Sequence, residues 1–100
     1  MKLIELNLAK IKDICRQYKV KNLSVFGSIL TDRFNEESDV DLLVNFEDDV
    51  NYQTYGDNFF GLYDSLKTLL GREVDLVDES GVKNKYFKEE LDETKYLIYG

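Results

Sequence analysis

Between residues 1 and 19, Ile4, Leu8, Ile11, Ile14/Cys15 and Tyr18 recur at steps of three and four, with lysines and acids between them. This spacing predicts an amphipathic helix. Cys15 falls on the apolar stripe and reads as a packed small hydrophobe, because a reactive thiol needs exposure and positive neighbours. Residues 22–27 are short, β-prone and closed by a glycine, which predicts a strand running into a turn. The clearest pattern covers 39–46: Val40, Leu42, Val44 and Phe46 fall on one face of a strand, and Asp39, Asp41, Leu43 and Asn45 on the other. An acidic loop beginning at Glu47-Asp48-Asp49 is expected to run to about Gly56 as a solvated turn. Phe59, Leu62/Tyr63, Leu66 and Leu69/Leu70 then repeat at helical spacing with Gly71 at the C-terminal cap, so Phe59, Phe60 and Tyr63 are expected in the core. Residues 73–77 predict a third strand with Asp75 between Val74 and Leu76, and Asn84 predicts the cap of a last helix of about ten residues. The closing Tyr-Leu-Ile-Tyr run is expected to dock on the sheet or on a partner. This order of elements predicts an α/β or α+β fold, a small sheet flanked by helices.

One hundred residues make one domain, 1–100, with no room for a second. Thirty-three per cent charged and 43% hydrophobic residues exclude a disordered chain. A net charge of −7 repels a phosphate backbone and argues against generic nucleic-acid binding. With no histidine and one cysteine, a Ser-His-Asp triad, a His/Cys zinc site and a disulfide framework are excluded within the chain. Charges break the first twenty residues and no apolar run reaches the roughly 20 residues of a membrane span, so the cytoplasm is the expected compartment. Carboxylates are left to carry any chemistry.

Aspartate is depleted in strands, so Asp39, Asp41 and Asp75 need a reason. Residues two apart on a strand project the same way with Cα atoms about 6.5 to 7 Å apart, and a neighbouring strand can bring in the third. Such a set suits Mg²⁺, which takes oxygen ligands and leaves positions for water and phosphate, and two ions can stabilise both oxygens of an in-line displacement. Upstream, Gly27-Ser28 ends the first strand, where a glycine lets phosphate approach the backbone. Gly-Ser alone is a common turn. Gly-Ser, ten residues, Asp, one residue, Asp is matched by chance in roughly one 100-residue chain in a thousand.

With these residues in place, the sequence resembles the minimal nucleotidyltransferase (MNT) branch of the polymerase-beta-like nucleotidyltransferase superfamily. The resemblance runs over Val25-Phe26-Gly27-Ser28, Ser38-Asp39-Val40-Asp41-Leu42-Leu43-Val44, Val74-Asp75-Leu76-Val77 and the closing Tyr96 to Tyr99. It implies a small, mixed, mostly antiparallel sheet flanked by helices. It further implies that Asp39 and Asp41 bind two Mg²⁺ ions, that Asp75 is the third acid, activating the incoming hydroxyl, and that Gly27 and Ser28 hold the triphosphate of ATP or another NTP. Many members of the branch resemble antitoxins paired with a HEPN-family toxin, which implies AMP transfer from ATP to a toxin tyrosine. One departure stands out: family members carry arginines and a glycine after Gly-Ser, and this chain has Ile29, Leu30, Thr31 and Asp32, with Arg33 the first basic residue. Arg72, Lys83 and Lys85 are candidates to supply the missing charge. Tyr52 and Tyr55, expected in the loop beside the site, and the tail tyrosines are candidates to meet a protein acceptor. Two alternatives stay open: an adaptor that masks a partner without chemistry, and a small-molecule nucleotidyltransferase whose acceptor pocket is completed by another chain.

Overall fold

The computed structural model describes residues 1–100 as three α-helices, four strands and two short 3-10 turns. They run α1 (Lys2–Gln17), β1 (Val20–Phe26), a turn at Gly27–Leu30, β2 (Val40–Phe46), α2 (Tyr55–Leu70), β3 (Val74–Asp78), a turn at Glu79–Gly81, α3 (Lys85–Thr94) and β4 (Tyr96–Tyr99). The sheet order is β3-β2-β1-β4. β1 pairs antiparallel with β2 and β4, and β2 pairs parallel with β3 across the α2 connection. This is the α+β fold expected.

The alternation in β2 sets the layers. Val40, Leu42 and Val44 join Leu23 and Val25 of β1 in one cluster with Ile4, Ile11 and Cys15 of α1 and Leu62, Leu66 and Leu70 of α2. Cys15 is 0% exposed, and burial pushes its thiol up to about 12, so it is an inert core residue. Two helix ends follow directly from their sequence. Gly71 caps α2 at φ 65°, a left-handed conformation that favours glycine. The Asn84 side chain accepts the Phe87 amide at the start of α3.

The second face of the sheet carries Ser24 and Leu43, register partners that are both buried, with Phe26 and Asn45 beyond them. Here α3 docks. Leu91 is buried, and the Phe87 ring meets Phe26 edge-on with centroids 6.2 Å apart. Lys88 and Lys95 bind the Glu79 carboxylate at 3.1 and 2.8 Å, and Glu79 also takes the Asn45 amide. Burial alone would raise Glu79, but the hydrogen bonds from Lys95, Asn45 and Lys88 outweigh it and hold the group at about 2. The closing run is β4, seated on β1, which settles where the tail docks.

Several expectations are corrected in detail. α2 begins at Tyr55, because Thr54 and the Asn51 side chain turn the chain into the helix before Gly56. Phe60 is 64% exposed: it lies on the outer face of α2, while Phe59 and Tyr63 pack against the core. β1 starts at Val20, which the short apolar run from residue 22 did not signal, because its alternation is broken by a register shift between Val20 and Asn22.

Candidate active site

The candidate site lies where β1 leaves the sheet and β2 and β3 enter it. Phe26 is the register partner of Asp41, so Gly27 turns away directly beside that aspartate. Gly27 has φ 74°, and a Cβ built there would overlap the Asp41 Oδ2 and stand 3.2 Å from its Cγ. Two independent reasons therefore demand glycine: the left-handed backbone and the carboxylate pressed against the Cα. The following turn is tied by the Thr31 amide and hydroxyl, which donate to the Ser28 carbonyl at 2.9 and 2.8 Å. Ile29 is buried in the core cluster. The position after Gly-Ser is thus occupied by an anchor of the turn, which accounts physically for its apolar character.

On the other side of Asp41, the parallel register pairs it with Asp75. Register partners on neighbouring strands project to one face, so the two carboxylates stand side by side. Asp39 sits just before β2 and is exposed. The Asp41 carboxyl is raised above its ordinary value, first by burial, then by the charges of Asp75 and Asp39, while the Ser28 amide pulls the other way. The three aspartates expected to act together are therefore electrostatically coupled at one edge of the sheet. As placed, they do not close into a three-carboxylate cluster. Two of the three carboxylates suffice for Mg²⁺, an ion that uses one or two protein carboxylates and fills its remaining positions with water and phosphate.

Beside the turn, a cleft of about 580 Å³ is lined by Gly27, Ser28, Leu30, Thr31, Arg33 and, from α3, Glu90 and Thr94. Arg33 is the only arginine whose guanidinium makes no ion pair, hydrogen bond or aromatic contact: Arg16 binds Asp13, and Arg72 is engaged elsewhere. Among the expected cations, Arg72 donates to the Asn35 and Ser38 carbonyls, and Lys83 reaches the Ser80 carbonyl at the opposite end of the sheet. Neither is a free cation of the cleft. Tyr52 and Tyr55 are also displaced from the expected place. They follow the far end of β2: the Tyr55 ring packs against Phe46, and its hydroxyl donates to Asp78, at the end of β3 away from Val74, at 2.6 Å. Tyr96, by contrast, pairs with Val25 near the turn and is exposed.

A Gly-Ser turn set against paired aspartates on adjoining strands of a small mixed sheet defines a nucleotidyltransferase type of site. The chain belongs to the polymerase beta nucleotidyltransferase family, which matches residues 9–100. A Methanocaldococcus jannaschii relative assigned as a protein adenylyltransferase is 40% identical, over 92% of this chain and 96% of its own. The protein adenylyltransferase MntA of Thermococcus cleftensis is 36% identical, over 86% of this chain and 83% of its own. Among solved structures, one described as a minimal nucleotidyltransferase superposes with a TM-score of 0.74 at 26% identity, covering 95% of this chain and 92% of that one. The complex of a tri-AMPylated Shewanella oneidensis HEPN toxin with its MNT antitoxin shares the fold, with a TM-score of 0.64 at 22% identity over 96% of this chain and 71% of that one.

Proposed function

We propose that this chain transfers AMP from ATP to a tyrosine hydroxyl of a HEPN-family partner protein. The observation that carries this reading is the Gly27 turn seated against Asp41, with Asp75 in register beside it. The relatives named as protein adenylyltransferases and the AMPylated HEPN toxin of the Shewanella complex support AMP as the group transferred and a HEPN-family protein as the partner.

This reading gives each residue a role. Gly27 and Ser28 receive the triphosphate at the turn, and Arg33, which lines the same cleft, supplies positive charge for its outer phosphates. Asp39 and Asp41 hold magnesium, and Asp75 accepts the proton of the attacking hydroxyl. Two bound ions would supply electrostatic stabilisation of the attacking and leaving oxygens. The acceptor oxygen forms a bond to the α-phosphorus, the bond to the oxygen bridging the α- and β-phosphates breaks, and pyrophosphate leaves. A protein acceptor fits the architecture, since Asp39 and Asp75 are exposed at the edge of the sheet, where a hydroxyl presented from outside can approach them.

One observation favours a second reading, a masking adaptor without chemistry: Ile29, directly after Gly-Ser, belongs to the core and leaves that position without charge. Labelled ATP, Mg²⁺ and the cognate partner separate the two. Transfer of label by the wild type, and its loss in the Asp39→Asn/Asp41→Asn double variant by a thousandfold or more, supports the enzyme. A double variant that neutralises the partner as fully as the wild type replaces it with the adaptor.

A further inference from the structure

The segment between the Gly-Ser turn and Asp39 has few ties to the rest of the protein. Its internal hydrogen bonds are local: the Asn35 amide to Ser38 Oγ, the Glu37 amide to Asn35 Oδ1 and the Ser38 amide to the Asn35 carbonyl. The hydrogen bonds that leave residues 32–38 for another element all come from Arg72. Its Nη1 donates to the Asn35 carbonyl at 3.1 Å and to the Ser38 carbonyl at 3.0 Å, and its guanidinium carbon stands 4.7 Å from the centre of the Phe34 ring. Phe34 in turn packs against the core. Arg72 lies between the left-handed cap Gly71 and Glu73, whose carbonyl accepts the Val40 amide at 3.0 Å. One backbone position therefore ties down the residue preceding Asp39 and opens the strand that carries Asp75.

We infer that Arg72 is a positioning residue of the metal site: it fixes Asp39 relative to Asp41 and Asp75 by clamping the Phe34–Ser38 segment to the start of β3. The inference rests on the role proposed above for the aspartates. A divalent ion tolerates little error in ligand placement, and Asp39, just outside the strand, is held by the sheet only on its C-terminal side, through the Val40 amide, which leaves Ser38 and the residues before it to be placed by Arg72. A guanidinium suits this task because one terminal nitrogen, Nη1, donates to both carbonyls while the planar face of the group lies on an aromatic ring. A lysine at the same place keeps the charge but ends in an ammonium without a planar face, which cannot stack on the Phe34 ring in the same way.

The test compares wild type, Arg72→Lys and Arg72→Met by Mn²⁺ titration, with the free ion counted by electron paramagnetic resonance and folding checked by circular dichroism. Arg72→Lys is expected to remain folded and to bind Mn²⁺ about tenfold more weakly, the usual size of a lost outer contact to a metal ligand. In AMP transfer its kcat recovers as Mg²⁺ is raised, which a global loss of structure would not allow. Phe34→Leu, which removes the aromatic surface and keeps both hydrogen bonds, falls between. Wild-type Mn²⁺ affinity in folded Arg72→Lys overturns the positioning role and leaves the proposed function standing. Failure of the wild type itself to bind Mn²⁺ overturns the metal assignment, and the role of Arg72 with it.

Discussion

Replacing Gly27 by alanine should strain the protein twice, and the two costs can be measured separately. An L-residue held at φ 74° loses about 1–2 kcal/mol relative to glycine. The new methyl group would also overlap the Asp41 carboxylate, whose Cγ stands 3.2 Å from the Cβ position, and pushing that side chain off its rotamer costs about 1 kcal/mol more. The total is about 2–3 kcal/mol. The unfolding entropy of a 100-residue domain is about 0.2 kcal/mol/K, so the Tm should fall by about 10–15 °C. In an Asp41→Ala background the carboxylate is gone and only the backbone cost remains, about 5–10 °C. Thermal melts of the four proteins of this double-mutant cycle should therefore give a coupling of about 1 kcal/mol between positions 27 and 41. Equal costs in both backgrounds would mean that the carboxylate does not sit against the turn, and the geometry argued for the site would be wrong.

Two other expectations follow from charge. Glu79, with its side chain 12% exposed, is held at about 2, so its ion pairs stabilise fully above pH 4.5 and the benefit is lost as pH falls through the depressed value. Wild type should exceed Glu79→Gln by about 1 kcal/mol at neutral pH, allowing for the partly exposed lysines, and the gap between the melts should close progressively below pH 4.5; a pH-independent gap would contradict this account. Arg33→Ala should weaken ATP binding about tenfold and leave AMP binding unchanged, since a charge-assisted contact to the outer phosphates is lost. Calorimetric titration of both nucleotides checks this, and equal ATP affinity would remove Arg33 from the site.

The parts of the site that were legible in the sequence are those carried by short-range pattern. Val40, Leu42 and Val44 fixed the phase of β2 and therefore the face of Asp41, and Val74 and Leu76 did the same for Asp75. Gly71 and Asn84 were legible because a cap is a local hydrogen-bonding problem. Arg72 was not, because its acceptors are backbone carbonyls 34 and 37 positions away, and any residue supplies a carbonyl. Tyr52 and Tyr55 were assigned to the wrong end of the sheet for a similar reason. Nearness in sequence to β2 says nothing about which end of the strand a loop joins until the direction of β2 relative to the Gly-Ser turn is known. Arg33 was visible as the first basic residue after that turn, but its membership of the cleft depends on α3 closing the other wall.

The central claim is that the aspartate edge performs nucleotidyl transfer onto a partner tyrosine. Intact-mass and peptide mass spectrometry of the cognate HEPN-family protein, after incubation with this chain, ATP and Mg²⁺, tests it most directly. The expected result is addition of one or more AMP moieties localised to tyrosine, absent when Asp39→Asn/Asp41→Asn replaces the wild type. An unmodified partner recovered from a stable complex with the wild-type chain, in the presence of ATP and Mg²⁺, would contradict it.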